Sequence, residues 1–130
     1  MAQEDKELLL KDLCARLPYT VICQFIWTYS NETTDGEEVI AIHDDNIKCI
    51  NTNTKEIQAD YYDEWVDLEH CKPYLRPISS MTEEEKKEFF QLMGNGTDIK
   101  RVDFYISHHF DYRGLIEKGL AIKALKGMYE

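Results

Sequence analysis

An α+β fold is predicted by three features of the chain. Apolar residues at helical spacing open it, short β-type runs separated by polar turns follow, and helix-start signals return after residue 81. At 130 residues the chain is expected to form one domain, with a core that needs neither disulfides nor metal. Within it, residues 1–71 make a helix plus an acidic β part, residues 72–81 a connector and residues 82–130 a helical part.

Residues 4–17 read as the first helix. Leu10, Leu13, Cys14 and Leu17 recur at i, i+3, i+4 and i+7 and so share a face. Glu4, Asp5 and Glu7 lie near the positive end of the helix dipole, Lys11 and Arg16 toward the negative end. Pro18 stops the helix.

Residues 20–29 (TVICQFIWTY) are rich in β-branched and aromatic side chains. Val21, Cys23, Phe25, Trp27 and Tyr29 would share one face, Ile22 and Ile26 the other. The run NETTDG at 31–36 is turn chemistry. A second strand spans 38–43, Asp44, Asp45 and Asn46 make a tight turn, and 47–51 returns. Residues 52–55 turn again into a strand at 56–61, and 65–68 add a short fifth. Four or five such strands imply an antiparallel meander. Closure into a small SH3-like barrel would remove its exposed edges most economically.

Residues 72–80 (KPYLRPISS) hold two prolines and no clean periodicity, so they read as an extended connector. Thr82 and Glu85 then match a capping box, the most specific local signal in the chain. Phe89, Phe90 and Met93 supply the apolar face of this helix, and Gly94-Asn95-Gly96 ends it. Thr97 or Asp98 opens another helix to about His108, with Ile99, Val102 and Ile106 on one stripe. Asp111 is expected to cap a last helix over 112–125, packed through Leu115, Ile116 and Ile122. Gly119 inside it would cost roughly 1 kcal/mol relative to Ala.

Charge is distributed unevenly. Between Glu32 and Glu69 twelve acidic residues face only Lys48 and Lys55, a formal charge of −10 that equals the net charge of the whole chain. Such a field repels phosphate backbones and attracts basic surfaces. Direct nucleic-acid binding is therefore disfavoured, because affinity for nucleic acid is largely phosphate neutralisation by Lys and Arg. The basic pairs Lys86-Lys87 and Lys100-Arg101 are each offset by nearby acids. A composition 43% hydrophobic and 31% charged argues against wholesale disorder. No apolar run approaches the roughly 18 residues of a membrane span. The opening MAQEDK lacks the pattern of a secretory signal, and a cytoplasmic location is expected. Cys14, Cys23, Cys49 and Cys71 contain no C-x-x-C pair, so they read as small buried hydrophobes kept as thiols.

Three segments carry a resemblance: residues 6–18 (KELLLKDLCARLP), 72–85 (KPYLRPISSMTEEE) and 108–121 (HHFDYRGLIEKGLA). Together they resemble a group of small proteins encoded by phages, prophages and mobile elements of gut bacteria. The resemblance covers the first helix, the connector and the tail, and leaves out residues 23–69. It implies a cytosolic accessory protein of a mobile genome and assigns no catalytic residue.

Two candidate sites follow. Asp60, Tyr61, Tyr62, Asp63, Glu64, Trp65 and Asp67 combine aromatic anchors with carboxylates, a composition suited to a basic host or phage protein. On this reading the chain is a non-enzymatic binding protein that needs no cofactor or metal, and the acidic face would inhibit a partner or mimic nucleic acid. The alternative is a small metal-dependent or acid–base enzyme centred on His108, His109 and Asp111. Against it, adjacent helical residues point about 100° apart, and Asp111 serves equally well as a helix cap. His70 and Cys71 would face opposite sides of an extended chain and should not meet.

Overall fold

The computed structural model describes residues 2–26, 33–44, 46–52, 54–55, 65–95 and 98–129. In chain order these form α1 (Gln3–Arg16), β1 (Ile22–Ile26), β2 (Thr33–His43), β3 (Asn46–Asn51), β4 (Val66–Asp67), β5 (Cys71–Leu75), α2 (Glu83–Asn95), α3 (Asp98–Ser107) and β6 (Ile122–Lys123). The class is α+β, as predicted. Trp27, Tyr29 and the strand expected at 56–61 lie outside the described residues.

The strands form one sheet in the order β4-β3-β2-β1-β5-β6. All neighbours are antiparallel except β5 and β6, which run parallel. The alternation in the first strand holds: Val21, Cys23 and Phe25 are all buried. The tight turn holds too, with Asp44 at a φ of 53° between β2 and β3. Residues 33–36, expected as turn, begin β2 instead. Gly36 bends there at a φ of 80°, and its carbonyl accepts from Thr52 N at 3.0 Å.

The expected barrel does not close. Among the described residues its edges are β4 and β6, each only two residues long. The expected connector is the reason. Residues 71–75 form a strand that takes the free edge of β1, and β6 then adds beyond it, so the sheet grows outward. Pro73 hid this strand from the sequence. It lies opposite Cys23 in the pairing with β1, although proline cannot donate to a ladder.

Helix α1 covers the sheet with a face that includes the predicted Leu10, Leu13 and Leu17 but not Cys14, and that is widened by Leu9, Asp12 and Arg16. Its buried residues are Leu9, Asp12, Leu13 and Arg16, while Cys14 is exposed. Asp12 and Arg16 are 0% exposed. Arg16 Nε donates to Asp12 Oδ2 at 2.7 Å and its Nη2 to Oδ1 at 3.2 Å. The same Nη2 donates to the carbonyl of Phe110 at 2.6 Å, and Arg113 Nε donates to Asp12 Oδ1 at 3.2 Å. A buried ion pair is tolerable only when most of its remaining donors and acceptors are satisfied; here Arg16 Nη1 alone is buried without a hydrogen-bond partner among the described residues. Through this pair α1 grips the turn after α3.

The last expected helix, 112–125, is absent. Asp111 does cap, accepting from Leu115 N at 2.9 Å and Ile116 N at 3.0 Å, but it caps a single turn. Gly114 and Gly119 flank that turn at φ of 74° and 75°, a left-handed backbone that ends a helix. Leu115, Leu120 and Ala121 are buried by the turn, and the chain continues as β6. Packing of the tail against the sheet thus replaces helix propagation. In the helical layer Phe89 packs against Phe104 and Tyr105, whereas Phe90, Met93 and Ile99 from the predicted apolar stripes are exposed.

Removing one member of the buried pair should be severe. Asp12→Ala leaves Arg16 charged and uncompensated, with an expected loss of about 3–5 kcal/mol in urea denaturation. The joint replacement Asp12→Leu with Arg16→Met should cost clearly less than Asp12→Ala alone. Equal losses would mean that the guanidinium finds other partners.

Candidate functional site

Three chain segments meet at Arg76, the residue that follows β5. Its backbone pairs with the turn after α3: Arg76 N donates to the carbonyl of His109 and its own carbonyl accepts from Asp111 N, both at 2.8 Å. Its guanidinium holds Glu85 by two bonds of 2.6 and 2.8 Å and donates to the His108 carbonyl at 3.2 Å. It also lies 4.2 Å over the Phe110 ring. Glu85 belongs to the predicted capping box, which forms: Thr82 N donates to Glu85 Oε1 at 3.0 Å and Glu85 N to Thr82 Oγ1 at 3.2 Å. One carboxylate thus caps α2 and fastens it to β5. The Arg76 guanidinium, helped by the Thr82 N–H, lowers the Glu85 pKa from 4.5 to about 2.

His109 follows α3 in an unusual backbone state. Its φ is 65°, Phe110 N bonds to the carbonyl of Tyr105 at 2.8 Å, and His109 N bonds to that of Ile106 at 3.1 Å. This is a Schellman termination, whose left-handed position normally holds glycine. A histidine there carries strain on the order of 1 kcal/mol. Its ring stacks on Tyr129 with centroids 3.8 Å apart. Nδ1 is buried and has no hydrogen-bond partner. Burial first, then the charges of Arg16, His108 and Arg76, lowers the His109 pKa to about 4, so the ring is neutral at pH 7. A buried bare lone pair costs less than a buried unpaired N–H, which favours the tautomer with the proton on Nε2. Tyr129 is itself fixed, since its hydroxyl donates to the carbonyl of Tyr74 at 2.6 Å and accepts from Ile22 N at 3.1 Å.

These groups border a pocket of about 430 Å³. Arg76, Glu85, His108 and His109 line one side, and Lys123, Ala124, Leu125, Lys126, Met128 and Tyr129 of the tail line the other. Its volume falls within the range of small-molecule sites, and its walls mix apolar surface with a few polar groups. The hydroxyls nearby are already engaged. Ser80 Oγ donates to the Pro77 carbonyl at 2.6 Å, Ser107 Oγ donates to the Phe104 carbonyl at 3.2 Å, and Thr82 Oγ1 serves the cap. A second, more open pocket of about 320 Å³ shares His108 and Ser107. There His108 Nε2 lies 3.8 Å from Glu88, while its Nδ1 lies 3.7 Å from Glu85.

Comparison of the chain with protein-family models, with curated proteins and with solved structures gave no match. The site must therefore be read from its own geometry.

Of the residues singled out from the sequence, His108 and His109 share the pocket, whereas Asp111 is occupied in capping. Among the described residues no group of three or more His, Cys, Asp or Glu is arranged to hold a metal. None of the helices searched there is long and apolar enough to cross a membrane. Of the acidic candidates, Asp60, Tyr61, Tyr62, Asp63 and Glu64 lie outside the described residues. Trp65 is exposed at the β4 edge, with Lys48 Nζ 4.8 Å from its ring and His43 edge-on at 6.1 Å. Asp67 is partly exposed and Glu69 exposed, and both lie within 4 Å of Lys6 Nζ. Glu37, counted in the acidic window, is buried beside Asn51, and burial raises its pKa. Cys23, Cys49 and Cys71 are buried together in the core as free thiols. His70 donates from Nδ1 to the Ile26 carbonyl at 2.6 Å.

Arg76, Glu85, Lys123, Lys126 and Tyr129 were missed as pocket residues. They come from three separate segments, and only the capping box around Glu85 carried a local signal. Because the Glu85 pKa is lowered on folding, its contribution is present above pH 4.5 and is lost as pH falls toward 2. Glu85→Gln should therefore lower stability by about 1–3 kcal/mol at pH 7. In denaturation series from neutral to acid pH, the gap to the parent chain should narrow steadily below pH 4.5. A gap independent of pH would show that the carboxylate charge does not matter.

Proposed function

We propose that the chain is a non-enzymatic binding protein whose working part is the pocket between the turn at His108-His109 and the tail. His109 carries this reading. A strained backbone position that glycine would fill more easily holds an aromatic ring, which stacks on the tail and leaves a polar edge at a concave surface. Strain kept in this way suggests use. Binding is favoured over catalysis because the nearby hydroxyls are committed to backbone partners and His109 is too weak a base near pH 7. The mobile-genome setting implied by the resemblance fits an accessory role of this kind.

The test is a fragment screen followed by NMR. At least one small compound should move the signals of His109, Met128 and Tyr129 together. His109→Gly should fold with an unchanged or slightly higher midpoint and lose that response, since glycine suits the backbone there. A screen that moves none of these signals, or a His109→Gly chain that responds like the parent, overturns the proposal.

A second reading keeps the acidic sheet edge as a contact for a basic protein. The exposed Trp65 ring, with Asp67 and Glu69 nearby in sequence, supports it. Charge reversal of Asp67 and Glu69 to Lys should then weaken capture of basic proteins several-fold at low salt and little at high salt. Equal capture by both chains would count against this reading.

A further inference from the structure

The pocket differs in charge from the rest of the molecule. The chain carries a net charge of −10, yet this cavity is bordered by Arg76, Lys123 and Lys126 against a single carboxylate, Glu85. Arg76 and Glu85 neutralise each other through two short hydrogen bonds. Lys123 and Lys126 remain, both exposed. Among the described residues neither has a carboxylate within salt-bridge distance. Two exposed lysines thus border one concavity of an acidic protein, where an anion would be repelled from most other surfaces.

The kind of anion can be narrowed. A planar guanidinium would favour bidentate carboxylate recognition, but Glu85 already fills that fork. Lysine ammoniums are compact point charges, well suited to a phosphate carrying up to two charges. His109 adds a neutral donor. With Nδ1 buried as a bare acceptor, Nε2 is the ring nitrogen left to donate. Pro77, Ala124, Leu125 and Met128 give the same cavity an apolar wall. Resting on the pocket reading above, we propose that the ligand is a small organic phosphate monoester, its phosphate held by Lys123, Lys126 and His109 and its body against the apolar wall.

The probe is phenyl phosphate, compared with inorganic phosphate, benzoate and benzyl alcohol on the full chain by NMR titration. Phenyl phosphate should bind tightest and perturb His109, Met128 and Tyr129. Lys123→Gln with Lys126→Gln should weaken it about tenfold, as expected for losing charge-assisted hydrogen bonds, while the unfolding midpoint barely moves. A bound dianion should also raise the His109 titration midpoint, because it favours the protonated ring. Tightest binding of benzyl alcohol, with phosphate-bearing probes no better, would overturn the anion assignment and leave the pocket reading intact. Pocket shifts with no probe at all would remove both. Phenyl phosphate binding unaltered in the double lysine variant would overturn the assigned contacts.

Discussion

The contact between Asp12 and Arg16 organises the molecule. Both side chains are sealed from solvent, so their charges must be answered within the protein. Asp12 is answered by two arginines, Arg16 and Arg113. Arg16 is answered by Asp12 and by the carbonyl of Phe110. That carbonyl lies 94 positions along the chain, so the ion pair of the first helix dictates where the turn after α3 must sit. A greasy helix face could slide against a sheet, whereas a guanidinium fixed to one carbonyl cannot. The position of His108-His109 relative to the sheet follows from this.

Arg76 performs the complementary task from the other side. It extends β5 just far enough to pair with Phe110, and its side chain ties the start of α2 to the end of α3. Two arginines, one buried and one half-buried, thereby hold the same turn from opposite directions. The tail closes the arrangement. It runs parallel to β5, and Ala124 N donates to the carbonyl of Leu75 at 2.8 Å. The cavity is the space left between a turn held by arginines and a tail held by backbone pairing.

Local physics was legible in the residues, and long-range physics was not. The alternation of Val21, Cys23 and Phe25 fixed which face of β1 is inside, and the box of Thr82 and Glu85 marked where α2 begins. Both depend on neighbours a few positions away. The buried face of α1 was read without Asp12 and Arg16 because they belong to residue types that normally seek water. Their spacing of four allowed a pair, but nothing local required its burial. Pro73 argued against a strand that long-range pairing with β1 nevertheless forms. The tail was read as helix because its leucines and isoleucines suit one, yet two left-handed glycines redirect it. The histidine pair was recognisable by composition. Of the cations facing it, Lys123 arrives on a strand whose existence depends on tertiary pairing, and Lys126 on the turn that follows.

The bond network around Tyr129 bears on the order of assembly. Its phenol reaches Ile22 and Tyr74, the former 107 positions away. During synthesis at about 5–20 residues per second, β1 and β5 are therefore made well before the ring that bridges them. Until the tail emerges from the ribosome, the nascent sheet presents β5 as a bare edge, open to strand addition from a neighbouring chain. The concavity lined by the tail therefore matures only after both strands it bridges.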